Sequence, residues 1–237
     1  MIFILPENKK LAVISDLHIG SDIEDLRVLD SILANADYVI FNGDIFELYV
    51  HRWEKLLKKN KRAKKIYELL KSNKGKYFYI VGNHDDAIRD EDNLGVDLYS
   101  SINVISNGKS ICVIHGHQFD NINRDAPWWV HPLVKLEHAW NKLFNTNIQK
   151  NLIQRTTTFS SLSKKKKEEY LKGIREKAQL FVKKGKFDAL VYGHTHIPVI
   201  QSEVPIEIVD EGSFVIGVSY LEIQNGKLIL KVVKDVR

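Results

Sequence analysis

The sequence predicts an α/β fold with a largely parallel sheet, followed by a second, mainly antiparallel sheet. Three features predict it. Short apolar runs each end on Gly, Asn or Asp, helix-spaced apolar residues lie between the runs, and strand-like segments crowd together past residue 200.

Leu11–Ile14, Tyr38–Phe41, Tyr77–Val81, Ile111–Ile114 and Ala189–Tyr192 are rich in β-branched or aromatic residues and too short for buried helices, so they read as strands. Between the first two, Leu26, Leu29, Ile32 and Leu33 recur at helical spacing. Between the second and third, Trp53, Leu56, Leu57, Ile66, Leu69 and Leu70 do the same. Such alternation makes βαβ units, whose crossovers leave the strands parallel. Later, Ile206–Val209, Phe214–Val218, Tyr220–Ile223 and Leu228–Val233 follow too closely for intervening helices, and Asn225-Gly226 supplies a hairpin turn. Residues 128–186 interrupt the pattern. Trp128, Trp129, Trp140 and Phe144 precede a Thr/Ser-rich link at 156–163, and Lys164–Lys167 lead a helix to Lys184. This reads as a helical cap inserted into a single domain spanning 1–237, a length ample for one core.

The net charge of +5 hides an asymmetry. Residues 51–76 carry 11 Lys and Arg against two Asp and Glu, and residues 150–186 carry 12 against three, so the rest of the chain is acidic. Basic tracts attract phosphates, nucleic acid or an anionic membrane face, although a solvated helix face is the commoner reason for one. No stretch reaches the ~18 apolar residues of a spanning helix, and Met1–Leu5 is too short for a signal h-region. The lone cysteine, Cys112, has no partner for an intramolecular disulfide, which suits a reducing compartment. A cytoplasmic protein, at most peripheral to a membrane, is expected, with oligomeric state left open.

The polar residues carry the functional signal. Asp16-Leu-His18, Asn42-Gly-Asp44, Gly82-Asn-His-Asp85, His115-Gly-His117 and Gly193-His-Thr-His196 each close an apolar run. Open α/β sheets bind ligands outside the carboxyl ends of their strands, so these turns should converge in one crevice. Carboxylates, imidazoles and an amide oxygen make a mixed O/N ligand set that suits divalent metal ions. Mn2+ is the first expectation, with Fe, Zn or Mg as alternatives. Asp44 is placed to bridge two ions through its two oxygens, about 3.5–4 Å apart, the separation used for in-line phosphoryl chemistry. Water bound to such ions becomes hydroxide near neutral pH and would serve as the nucleophile. His51, His131 and His138 lie in helix-like or Pro-adjacent stretches and read as packing or surface histidines.

The order Asp-x-His, Gly-Asp, Gly-Asn-His-Asp, His-Gly, Gly-His-Thr-His resembles the calcineurin-like metallophosphoesterase superfamily over roughly residues 11–125 and 188–220. The resemblance implies a four-layer sandwich of two packed mixed sheets flanked by helices. It also implies that metal one takes Asp16, His18, Asp44 and His196, and metal two takes Asp44, Asn83, His115 and His194. His84 would lie beside the scissile phosphate, stabilising charge or protonating the leaving group, with Asp85 orienting it. Asn83, His117 and Arg124 are the expected substrate contacts. Ser15–Gly20, Gly43–Glu47 and the long insertion are similar to the branch containing UDP-2,3-diacylglucosamine pyrophosphatases of lipid A synthesis. There the insertion would meet acyl chains, through residues such as Trp128, Leu133 and Trp140. Two positions depart from that branch, His84 where it usually has Arg and His117 where it tends to have Asp. The departures favour a broader phosphatase or phosphodiesterase acting on a phosphoester substrate. A metal-dependent DNA nuclease drawn to the basic tracts and a non-catalytic interaction scaffold on the same fold are the other readings.

Overall fold

The structure is a computed structural model, and it describes residues 1–21, 26–49, 51–120, 163–203, 206–215 and 217–233. In chain order the elements are β1 (Ile2–Ile4), β2 (Leu11–Ile14), α1 (Leu29–Asn35), β3 (Tyr38–Asn42), α2 (Trp53–Lys59), α3 (Lys61–Ser72), β4 (Tyr77–Ile80), β5 (Leu98–Tyr99), β6 (Ser101–Ser106) and β7 (Lys109–Ile114). After these come α4 (Lys164–Gly185), β8 (Ala189–Tyr192), β9 (Val199–Glu203), β10 (Ile206–Asp210), β11 (Val218–Gln224) and β12 (Lys227–Val233). Two six-stranded sheets result, ordered β1-β6-β7-β8-β10-β9 and β12-β11-β2-β3-β4-β5. The strands β2 to β5 pair in parallel, as do β7, β8 and β10.

Alternation along each strand sorts the side chains into layers. Leu11 and Val13 of β2, Ile40 of β3, and Phe78 and Ile80 of β4 point inward, against Ile102, Val104, Ile111, Val113, Val191 and Val209 of the other sheet. Ala12, Ile14, Val39, Phe41 and Tyr79 point outward, where α1, α2 and α3 cover them with Leu29, Ile32, Leu56, Ala63, Ile66 and Leu70. On the other outer face Cys112, Ile114, Leu190 and Ile208 meet Ile174, Ala178 and Val182 of α4. Burial of side chains such as Ile174 and Val182 contributes roughly 1.5–3 kcal/mol each. Helix, sheet, sheet, helix is the four-layer sandwich expected.

Asn60 separates α2 from α3 and caps the latter, its Oδ1 accepting from the Arg62 and Ala63 amides at 2.9 and 3.1 Å. The basic tract 51–76 thus covers one outer face while the basic helix α4 covers the opposite one. They do not form one surface.

Three expectations need correction. The strands past residue 200 do not form a sheet of their own: β9 and β10 extend the first sheet from β8, whereas β11 and β12 extend the second from β2. Of the strand expected at Phe214–Val218, the described residues Phe214, Val215 and Gly217 are not in a strand; Phe214 is fully buried and β11 starts only at Val218. Of the expected cap at 128–186, residues up to 162 lie outside the described residues, and Lys164–Gly185 is a flanking helix packed on a sheet. The Asn225-Gly226 hairpin is present, with φ of 49° and 74° at the two turn positions.

Candidate metal centre

Both sheets aim the carboxyl ends of their parallel strands at one place. Asp16 and His18 follow β2, Asp44 follows β3, Asn83 and His84 follow β4, His115 follows β7, and His194 and His196 follow β8. The loops are stitched together by backbone bonds: the Asp16 amide donates to Gly43 O at 3.0 Å, His18 to Asp44 O at 2.9 Å, and Gly193 to His115 O at 2.9 Å. Asp16, His18, Asp44, His194 and His196 all have positive φ, between 45° and 70°. Each such conformation costs a non-glycine residue about 1–3 kcal/mol and persists only where surrounding structure dictates it. The chain therefore holds these candidate ligands in place at the expense of stability.

Each aspartate has one oxygen committed to backbone and one turned inward. Asp44 Oδ1 accepts from the His84 amide at 2.8 Å, and Asp16 Oδ2 accepts from the His194 amide at 3.0 Å. The inward Asp44 Oδ2 lies 3.3 Å from His115 Nε2 and 4.0 Å from His18 Nε2. Asp16 Oδ1 lies 3.0 Å from His196 Nε2 and 3.8 Å from His18 Nε2. Oδ2 is thus the Asp44 oxygen turned toward the His18 and His115 nitrogens, whereas Oδ1 is engaged by backbone.

The tautomers are fixed from behind. His115 Nδ1 donates to Asn42 O at 2.8 Å and His18 Nδ1 to Glu47 Oε2 at 3.0 Å, which leaves both Nε2 atoms as lone-pair donors to a cation. His18 Nε2, His115 Nε2, Asp16 Oδ1 and Asn83 Oδ1 are buried without a hydrogen-bond partner among the described residues. Orphaned acceptors are costly in a protein interior unless something electropositive meets them. Ligand atoms of Asp16, His18 and His196 lie within 4.8 Å of one another, as do those of Asp44, His115 and His194. The field agrees. Burial opposes protonation of His115, yet Asp44 outweighs it and pushes that imidazole up to about 10. Burial likewise opposes protonation of His18, and the neighbouring Asp16 and Glu47 carboxylates raise its pKa regardless. A site this hungry for positive charge fits two divalent cations.

The structure corrects one partnership. Asp85, expected to orient His84, instead accepts from Tyr79 Oη at 2.6 Å, Ile45 N at 2.8 Å and Gly82 N at 2.6 Å, so it pins the loop backbone. The His84 ring is held by Glu47, whose two oxygens each lie 3.0 Å from His84 Nδ1, and Tyr49 packs on it at 4.3 Å between centroids. Glu47 therefore joins His18 to His84. Burial would raise its pKa, but the two imidazoles bring it down to about 2, so it is a carboxylate. Glu47 lies three residues past Asp44, in the same loop, and that position is the signal for it in the sequence. His117 stands beside His115 and His194, at 5.4 and 6.4 Å between ring centroids, and burial with the neighbouring imidazoles holds it down at about 4. Arg124 lies outside the described residues, as do His131 and His138; His51 faces Gly20 O at 2.9 Å, in keeping with a packing histidine.

Two neighbours of the cage yield predictions. A Cβ on Gly82 would collide with the Asp44 carboxylate and backbone nitrogen. Gly82→Ala should cost about 1–3 kcal/mol and weaken ion binding, read together by urea denaturation and metal titration; an unchanged midpoint would mean the loop has room to shift. Behind Asp16, Glu211 is fully buried, its Oε1 accepting from Asn42 Nδ2 at 2.9 Å, and burial pushes its pKa up to about 8. A raised folded-state pKa gives stability that is full below the unfolded value and is lost as pH rises through the folded one. The metal-free chain should therefore lose up to about 1.4 kcal/mol per pH unit between roughly 4.5 and 8 from this group. Glu211→Gln, an isostere of the protonated acid, should gain on the parent by ~2 kcal/mol or more from pH 5.5 to 8. Parallel stability curves for the two proteins would contradict this.

The fold and the cage define a member of a known class. The chain belongs to the calcineurin-like phosphoesterase family, whose sequence profile matches residues 9–198, and it is a metal-dependent phosphoester hydrolase. It is similar to a UDP-2,3-diacylglucosamine hydrolase of Psychromonas ingrahamii, 23% identical over 92% of this chain and 94% of that one. A protein of the same description from Shewanella halifaxensis is 26% identical over 79% and 82%. Among solved structures, Chaetomium thermophilum Vps29 shares the fold at 14% identity and a TM-score of 0.50, over 94% of this chain and 83% of that one.

Proposed function

We propose that the chain hydrolyses P–O bonds of phosphomonoesters or phosphodiesters with two Mn2+ ions. One would be held by Asp16, His18, Asp44 and His196, the other by Asp44, Asn83, His115 and His194. The observation that carries this is the set of buried, unpartnered ligand atoms on Asp16, His18, Asn83 and His115, of which the His18 and His115 Nε2 atoms lie 4.0 and 3.3 Å from Asp44 Oδ2. When bound, such ions supply a nucleophile at neutral pH and neutralise charge on the phosphoryl oxygens in an in-line displacement. The protein's own residues do the rest. Glu47 accepts from His84 Nδ1 and fixes the ring, leaving Nε2 to hand a proton to the departing oxygen. Burial opposes protonation of His84, but the Glu47 and Asp44 carboxylates prevail and hold its pKa above the usual imidazole range, which favours the form that can donate. His117, neutral at this pH, and Arg124 are the further substrate contacts proposed.

A second reading, a UDP-2,3-diacylglucosamine-type pyrophosphatase, is favoured by the two relatives of that name, which align along most of both chains. Acyl chains would then meet the aromatic residues of 128–144. No helix among the described residues is long and apolar enough to cross a membrane; a cytoplasmic site of action, peripheral to the membrane for a lipid substrate, is part of this reading. Parallel assays with Mn2+ on p-nitrophenyl phosphate, bis-p-nitrophenyl phosphate, UDP-2,3-diacylglucosamine and single-stranded DNA test it. Turnover of the artificial esters is expected, and preference for the lipid by several orders of magnitude would replace the first reading with the second. Salt-sensitive cleavage of DNA alone would make the chain a nuclease, whereas no turnover with ions bound would leave a scaffold.

A further inference from the structure

Helix α4 reaches the cage although it supplies none of the candidate ligands. Three of its residues, on one face of the helix, hold the short turn His117–Phe119 that follows ligand His115 and the Asp120 that ends it. Phe181 packs on Phe119 at 5.5 Å between centroids, Lys177 Nζ donates to Phe119 O at 2.9 Å, and Tyr170 Oη donates to Asp120 Oδ2 at 2.6 Å. The same Oδ2 lies 3.0 Å from His194 Nε2. Asp120 is 1% exposed, and neither it nor Tyr170 has a part in the chemistry described above.

A carboxylate oxygen accepts, so the proton shared with Asp120 sits on His194 Nε2, and the lone pair of the neutral ring is then on Nδ1. The His194 amide is tied to Asp16 Oδ2 at 3.0 Å, which fixes the backbone as well. We infer that Asp120 and Tyr170 are positioning residues for His194: they lock its tautomer and ring so that Nδ1 faces the second ion position, and through them α4 sets the affinity of that position alone. Carboxylate partners of ligating imidazoles act in this way generally, and their loss weakens ion binding ~10–100-fold. The inference rests on the two-ion reading of the cage. It concerns only the half of the cage shared by Asp44, His115 and His194, because the Asp16, His18 and His196 half is backed by Glu47 instead.

The test is calorimetric titration of the metal-free full chain with Mn2+. The parent should take two ions. Asp120→Ala should keep one affinity and weaken the other about 10–100-fold, and Asp120→Asn, which retains an acceptor oxygen, should recover part of the loss. Tyr170→Phe keeps the ring's packing and should weaken the same position by a smaller factor, with an unchanged far-UV spectrum. Equal weakening of both positions would show a merely structural role and overturn the inference, as would two parent-like affinities in Asp120→Ala and Tyr170→Phe. A parent that takes fewer than two ions would sink the two-ion cage itself, an outcome distinct from either of these.

Discussion

Asp44→Asn should lower turnover by roughly 10⁴-fold while the chain still folds. Asparagine tolerates the positive φ of 53° at this position, and its amide oxygen can still accept from the His84 amide, as Asp44 Oδ1 does. What it cannot supply is the charged Oδ2 that lies between His18 and His115. If the amide turns the other way, an N–H donor would face the ion positions, which is worse. Both ion affinities should fall together, because this residue alone belongs to both halves of the cage. Activity within tenfold of the parent would contradict the bridging role. So would loss of one ion with the other retained at parental affinity.

Glu47→Gln is the second large effect. The carboxylate receives hydrogen bonds from His18 and from His84 at the same time, which takes two acceptor oxygens or one shared between them. Glutamine offers one oxygen and an N–H2 group that would confront a ring nitrogen. Turnover should drop by ~10²–10⁴-fold through His84, and an ion at the proposed position beside His18 should bind ~10–100-fold more weakly. The two parts are separable. In a His84→Ala background the same substitution should cost turnover far less, yet weaken the ion to the same extent. Full additivity in that double variant would mean that Glu47 does not act through His84.

The strands that carry ligands were legible in the sequence because they are buried on both faces, which makes them continuous apolar runs such as Ala189–Tyr192. β6 escaped notice for the complementary reason. Its residues alternate, with Ile102, Val104 and Ser106 buried and Ser101, Asn103 and Ile105 less so, leaving no run to find. The division of the tail between two sheets was equally hidden, since Val209 and Leu221 look alike in sequence and only packing tells that they belong to different sheets facing one core. The candidate ligands could be picked out because each lies within four residues of a strand end. Their supports could not. Asp85 is next to His84 in sequence and was expected beside its ring, whereas its carboxyl turns back to Tyr79. Glu47 and Asp120 matter through contacts to residues 37 and 74 positions away, and no spacing announces these.

Crystals loaded with Mn2+ and measured at an anomalous-scattering wavelength give the most direct test of the central claim. Two peaks about 3.5–4 Å apart are expected, one beside Asp16, His18 and His196 and the other beside Asn83, His115 and His194, with Asp44 Oδ2 between them. A single peak, or density away from these side chains in a protein that still hydrolyses phosphoesters, would contradict the account.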